Sequence, residues 1–166
     1  MKTSLTSDLS GELKDIGNSL RHTLALKNTA REAALAQSRT LIRLCANTIR
    51  AIHREDCEQA QELLHHATEA AANLRASVAD DHDLYHAGYT QDGLKEFVEA
   101  NVLFALVRDV PLPRPEALQV EAATYLKGLA EAATELRRRT LDIIRFDHSE
   151  EAERLLDAMD EIYSSL

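Results

Sequence analysis

The sequence predicts an all-α protein, a single-domain antiparallel helical bundle of five to six helices spanning residues 1–166. Three observations lead there. Apolar residues recur at steps of three and four over most of the chain, which is the period of a helix and not of a strand. Only 5 glycines and 3 prolines are present, too few to turn the many strands of a sandwich or barrel. A composition of 45% hydrophobic and 28% charged residues suits a folded globular chain of 166 residues and argues against disorder.

At the start, Leu5, Leu9, Leu13, Ile16 and Leu20 form one apolar seam, expected to pack against another helix or another subunit. Gly11 and Gly17 weaken it, so residues 1–27 read either as a helical arm or as a frayed terminus. A separate amphipathic helix is expected over about Asn28 to Arg54, with Leu35, Leu41, Ile42, Cys45, Ile49 and Ile52 on its apolar side. Asp56 stands where a capping residue would start the next helix, whose Ala60, Leu63, Leu64, Ala67, Ala71, Leu74 and Val78 share a face. Asp80-Asp81-His82-Asp83 ends that pattern, and Gly88 with Thr90 marks a loop before a helix beginning near Gln91. Between Leu94 and Val107 apolar residues lie almost all the way round, as in a helix surrounded by others. Pro111, Pro113 and Pro115 break the chain. A long helix is then expected from Pro115 to Arg145, with Leu118, Ala122, Tyr125, Leu129, Ala132, Leu136 and Ile143 as its core stripe. Ser149 followed by Glu150 to Glu153 starts a last helix, whose apolar face is Leu155, Leu156, Met159, Ile162 and Tyr163.

Composition also bounds function. No stretch approaches the roughly 18 apolar residues of a membrane span, and the first residues lack the apolar core of a secretory signal, so a cytoplasmic protein without a membrane partner is expected. Cys45 and Cys57 are too few to staple the fold and read as packing residues in a reducing compartment. The formal charge of −9 opposes non-specific attraction to phosphate, so nucleic-acid binding would need a local basic patch or divalent cations. Aromatic residues make up 4% of the chain with no Trp, which leaves little for base stacking. Neither a glycine-rich phosphate loop nor a nucleophile elbow is present.

The chemical signal is a set of acids on helices that read as buried. Asp92, Glu96 and Glu99 share a stripe that continues as Leu103, Leu106 and Val107, so Glu96 and Glu99 should be partly enclosed. Glu131, Glu135, Arg138 and Asp142 form a second stripe, with Gly128 a turn earlier letting a neighbour approach. Two such stripes on adjacent helices can meet. Carboxylates crowded together raise one another's pKa, and a hard divalent cation such as Mg²⁺ or Mn²⁺ relieves the repulsion. A site of that kind suits phosphodiester or pyrophosphate hydrolysis. The alternative is that the acids form ion pairs with Lys95, Arg137, Arg138 or Arg139. A different metal reading starts from Glu62 and His65, a Glu-x-x-His of the kind di-iron bundles use in pairs, with Asp83 and His86 as its only mate. His22, His53, His82 and His148, like His65-His66, read most simply as surface or interface residues.

Several stretches together resemble the translin family, and most of all its catalytic Trax branch, in a short form like prokaryotic and archaeal members. The block Gly93-Leu94-Lys95-Glu96-Phe97-Val98-Glu99-Ala100 is similar to that branch's acidic pair flanking an aromatic residue and a valine. A second block runs from Tyr125-Leu126-Lys127-Gly128-Leu129-Ala130-Glu131 through Glu135-Leu136-Arg137-Arg138 and resembles the family's Tyr-Leu-x-Gly, acid and Glu-Leu-x-Arg. Weaker similarity covers Ser38 to Arg54, including Ile52-His53-Arg54, and the last helix. The resemblance implies an all-α subunit of a barrel-like homo-oligomer that binds single-stranded RNA or DNA and, in the Trax branch, cuts RNA with Mg²⁺. It places the catalytic acids on Glu96, Glu99 and Glu131, the last in place of the family's usual Asp, with Glu135 either a fourth metal ligand or a partner for an arginine.

The leading expectation is therefore a Mg²⁺- or Mn²⁺-dependent endoribonuclease acting on single-stranded RNA, and a protein that binds single-stranded RNA or DNA. Phosphate contacts would come from Arg50 and Arg54 or from Arg137 and Arg138 with Arg139, the alternative being that these arginines line solvated helix faces. The other expectations are a catalytically silent nucleic-acid-binding oligomer and an all-α nucleotide pyrophosphohydrolase.

Overall fold

The computed structural model describes residues 3–145 and 150–166, with side chains from residue 9 onward. The expected cap at Ser149, the surface or interface placement of His148 and the Leu5 side chain lie outside that description. Seven helices are present among the described residues: α1 (Thr3–His53), α2 (Cys57–Val78), α3 (His82–Tyr85), α4 (Gly88–Arg108), α5 (Pro115–Leu118), α6 (Ala122–Ile144) and α7 (Glu150–Ser165). The all-α bundle is as predicted. Helix α1 packs on α2 and α4, α4 on α6, and α6 on α7, so α4 runs through the middle of the molecule. Its position explains its sequence: Leu94, Phe97, Val98, Ala100, Val102, Leu103 and Ala105 are all buried. No helix among the described residues is long and apolar enough to cross a membrane.

The extra helices have local causes. The two helices expected over residues 1–54 are one 51-residue helix. Gly11 and Gly17 each disfavour a helix by only about 1 kcal/mol, and no proline or capping signal interrupts the run. The first part is a helical arm: Leu9, Leu13, Ile16 and Leu20 are each more than half exposed, so the expected packing of their seam is not met within this chain. Lys27 ties the arm to α3 through an ion pair of 2.7 Å with Asp83. The helix expected from Pro115 to Arg145 is broken. Pro115 opens the single turn of α5, Gln119 takes a left-handed backbone with φ 54°, and the chain restarts at Ala122. Tyr125 fastens this corner, its hydroxyl donating to the Pro113 carbonyl at 2.8 Å. Gly88 and Thr90, expected in a loop, belong to α4, where the buried Thr90 hydroxyl donates to the Leu84 carbonyl at 2.7 Å. Residues 82–85, also expected in a loop, form α3, capped by Asp81.

Asp56 caps α2 as its sequence position predicted, accepting from the Gln59 amide at 3.1 Å. Cys45 is buried in the core, whereas Cys57 sits half-exposed at the start of α2 and is not a core residue. Of the described glycines, Gly128 on α6 makes the tightest contact with a neighbouring helix. A Cβ there would lie 2.6 Å from Val98 Cβ and 2.8 Å from the Lys95 carbonyl oxygen, so only glycine lets α6 come this close to α4.

Gly128→Ala is therefore expected to destabilise the fold by about 1–3 kcal/mol through overpacking, despite the better helix propensity of alanine. Thermal unfolding followed by circular dichroism should show the midpoint several degrees lower. Gly11→Ala, whose added methyl meets nothing within 4 Å, should leave it unchanged or slightly higher.

Candidate metal centre

At the Gly128 crossing the two acidic stripes meet. Glu96 and Glu99 on α4 and Glu131 on α6 each offer a carboxylate oxygen, and the three oxygens lie within 4.8 Å of one another. Glu99 is only 7% exposed, while Glu96 and Glu131 are half-buried. Asp92 and Asp142, on the same stripes, are exposed and outside this group. Glu135, one turn beyond Glu131, is also outside it. Its Oε2 is 2.6 Å from His53 Nε2 and 3.8 Å from Arg138 Nη1.

The ion-pair alternative holds for part of the set. Lys95 Nζ is 2.7 Å from both carboxylate oxygens of Glu131 and 3.3 Å from Glu96. Arg139 turns away from the acids of α4: it is buried, donates to Glu151 at 2.6 and 2.9 Å and reaches the Ile52 carbonyl at 3.3 Å. Glu99 has no hydrogen bond or salt bridge among the described residues.

Burial, followed by the negative charges of Glu96, Glu131 and Glu135, pushes the Glu99 carboxyl up to about 8, against a smaller opposing effect of Lys95. The Cys45 thiol is likewise raised, by burial first and then by Glu96 and Glu99. For Lys95 burial works against the charge, but its hydrogen bonds to Glu131 and Glu96 outweigh it and hold the ammonium above its ordinary range. Three hard oxygen donors sharing one lysine, one of them buried without a partner, form a donor set that fits Mg²⁺ or Mn²⁺ and lacks the nitrogen or sulfur ligands of softer metals.

The other candidate residues scatter. Arg50 and Arg54 face a shallow concavity of about 210 Å³, bonded to Asn47 and Gln59. Arg137 and Arg138 line a separate one of about 510 Å³. The di-iron pairing is not formed: Glu62 and His65 are exposed, His65 pairs with Glu69, and Asp83 is taken by Lys27. His53, read from sequence as a surface or interface residue, has a side chain only 10% exposed and holds Glu135 within the chain. The signal was available, since His53 continues the Cys45–Ile49 stripe of α1 at i+4.

No family model matches the chain. An uncharacterized protein of Methanocaldococcus jannaschii is 33% identical over 151 residues, covering 90% of this chain and 67% of that protein. The crystal structure of AfC3PO superposes with a TM-score of 0.81 at 27% identity, over 89% of this chain and 76% of that one. The AfC3PO complex with duplex RNA superposes with a TM-score of 0.78 at the same identity and coverage. These C3PO proteins are translin-family proteins. The chain has a translin-like fold. Apo-NeC3PO, at 17% identity and a TM-score of 0.62 over 99% of this chain and 96% of its own, adds a likeness of fold alone. Both translin-like sequence blocks sit where α4 and α6 of this chain cross, at Glu96–Glu99 and at Gly128–Glu131.

Because the Glu99 pKa is about 8 in the folded chain against an ordinary 4.5, the folded state binds more protons between these values. This group therefore weakens the metal-free fold progressively as pH rises from about 4.5 to about 8. Glu99→Gln, which keeps the uncharged shape, is expected to stabilise the metal-free protein above pH 8 by on the order of a few kcal/mol and to change little near pH 5. Thermal melts in chelator at pH 5 and 9 measure the difference, and equal midpoints for both proteins at pH 9 would contradict it.

Proposed function

We propose that this protein is a translin-family, Mg²⁺- or Mn²⁺-dependent endoribonuclease acting on single-stranded RNA. The observation that carries the reading is the convergence of Glu96, Glu99 and Glu131, three carboxylate oxygens within 4.8 Å with a single lysine between them. The similarity to AfC3PO, which has been seen in complex with duplex RNA, brings RNA to this chain as the polymer bound and makes duplex RNA a substrate to test beside the single strand.

In this reading Glu96, Glu99 and Glu131 hold the cation, and Glu135 is the adjacent acid. A bound Mg²⁺ supplies charge neutralisation at the phosphodiester and lowers the pKa of water. Glu99 gives up its proton on cation uptake, because its raised pKa comes from burial beside uncompensated negative charge. His53 holds the Glu135 carboxylate at 2.6 Å and fixes its orientation. Lys95 orients both oxygens of Glu131 and, once those acids are compensated, remains as a cation for a phosphate oxygen. Arg50, Arg54, Arg137 and Arg138 supply exposed guanidiniums for the strand's phosphates, and recognition through the backbone implies weak sequence preference. The exposed leucine seam of the arm supports assembly into a homo-oligomer.

A second reading, a silent RNA-binding oligomer, is favoured by the ion pairs of Lys95, which already satisfy Glu131 and part of Glu96. Labelled single-stranded RNA, duplex RNA and a nucleoside triphosphate, each incubated with Mg²⁺, Mn²⁺ or excess chelator, separate the possibilities. RNA cleavage that needs the metal and falls by about a thousand-fold or more in Glu96→Ala and Glu131→Ala, with RNA binding retained, is expected. Cleavage in chelator removes the metal mechanism, binding without cleavage points to the silent oligomer, and release of pyrophosphate without RNA cleavage points to a nucleotide hydrolase. Lys95→Met should lower the melting midpoint in chelator and enlarge the rise produced by Mg²⁺, since Glu96 and Glu131 then lose the one cation paired with them both among the described residues.

A further inference from the structure

Outside the acidic centre, a cavity of about 490 Å³ lies between the start of α2, the end of α4, and helices α6 and α7. None of Glu96, Glu99 and Glu131 lines it. Its volume lies within the range of about 300–1,000 Å³ of small-ligand sites. One wall is apolar, made by Ile52, Ala60, Phe104 and Val107. Three guanidiniums from three different helices, Arg108, Arg139 and Arg154, also face it, in a chain whose net charge is −9.

The three arginines are not equivalent. Arg139 is committed to Glu151 and the Ile52 carbonyl. Arg154 donates to the carbonyls of Leu106 and Val107 at 2.7 and 3.3 Å, closing the end of α4. Arg108 donates only to Cys57 Sγ, at 3.4 Å, a weak acceptor, so among the described residues the rest of its fork is free to take an anion. Phe104 lies one turn before Arg108 on the same face of α4, which places a flat apolar surface and a free guanidinium side by side. Glu55 and Glu151 at the rim offer carboxylate oxygens to N–H donors.

We propose that this cavity binds a nucleotide, with the base against Phe104 and Val107 and the phosphate on Arg108. The nucleotide is either a free mononucleotide or one residue of an RNA strand, and the strand source rests on the function proposed above. Glu55 and Arg139 also line the small cavity that contains His53, so the two spaces adjoin on the side of Glu135.

Titration calorimetry of the full chain with AMP, adenosine and inorganic phosphate, all in excess chelator, tests the proposal without metal at the acidic centre. Saturable binding of AMP, tighter than of adenosine or phosphate, is expected. Arg108→Gln, at an exposed position, should weaken AMP binding by about tenfold or more, the worth of a charged hydrogen bond. Phe104→Leu should weaken AMP and leave phosphate alone; if that variant does not fold, Arg108→Gln carries the test. Glu96→Gln and Glu131→Gln should bind AMP as the unaltered protein does, so failure of the nuclease reading leaves this one standing, and the reverse. Absence of saturable AMP binding, or binding unchanged by Arg108→Gln, overturns it. Displacement of AMP by a short RNA oligonucleotide assigns the site to a strand, and persistence of AMP assigns it to the free nucleotide.

Discussion

Everything at the acidic centre depends on how closely α6 can approach α4, and that distance is set by a missing side chain. Gly128 presents bare backbone to Val98 and to the Lys95 carbonyl, and one turn further on the same approach brings Glu131 against Glu96 and Glu99. A helix pair separated by an ordinary side chain would leave the acids on two surfaces, each solvated and paired on its own. The glycine converts two unremarkable stripes into one centre.

The fold tolerates that centre because the rest of α4 is apolar and enclosed. Like charges in a poorly solvated place oppose folding, and one lysine among three acids offsets only part of the repulsion. Glu99 takes most of the remainder by holding its proton into the neutral range. An arrangement of that kind contributes nothing to stability by itself, whereas it is well suited to binding a small, doubly charged cation. The surrounding contacts keep it in place: Leu94, Phe97, Val98 and Leu103 are buried on the same helix, and His53 reaches from the end of α1 to hold Glu135 at the edge of the group.

The elements that sequence patterning misplaced are those whose limits are set by small local energies. No signal divides residues 3–53, because a glycine weakens a helix without ending it, and so one long rod forms where two were expected. The break at Gln119 is illegible for the opposite reason: a non-glycine residue adopts the left-handed conformation only because the corner around it, with Tyr125 bonded to Pro113 and Leu118 buried, outweighs its own preference. The four short-range signals that rest on side-chain chemistry fared differently. Asp56 caps α2, the Leu94–Val107 run is enclosed, the proline cluster interrupts the helices, and Gly128 meets a neighbour.

The sequence by itself determined the all-helical class, the central place of α4 and the presence of acids on faces that ought to have been apolar, because periodicity and composition act along a single helix. Only the tertiary structure decided which of those acids meet. It chose Glu131 over Glu135 and Asp142, gave Lys95 to two carboxylates, left Glu99 without any partner among the described residues, and brought His53 across 82 positions to Glu135. Such pairings arise from the crossing of separate helices, and a one-dimensional pattern contains no term for the distance between them.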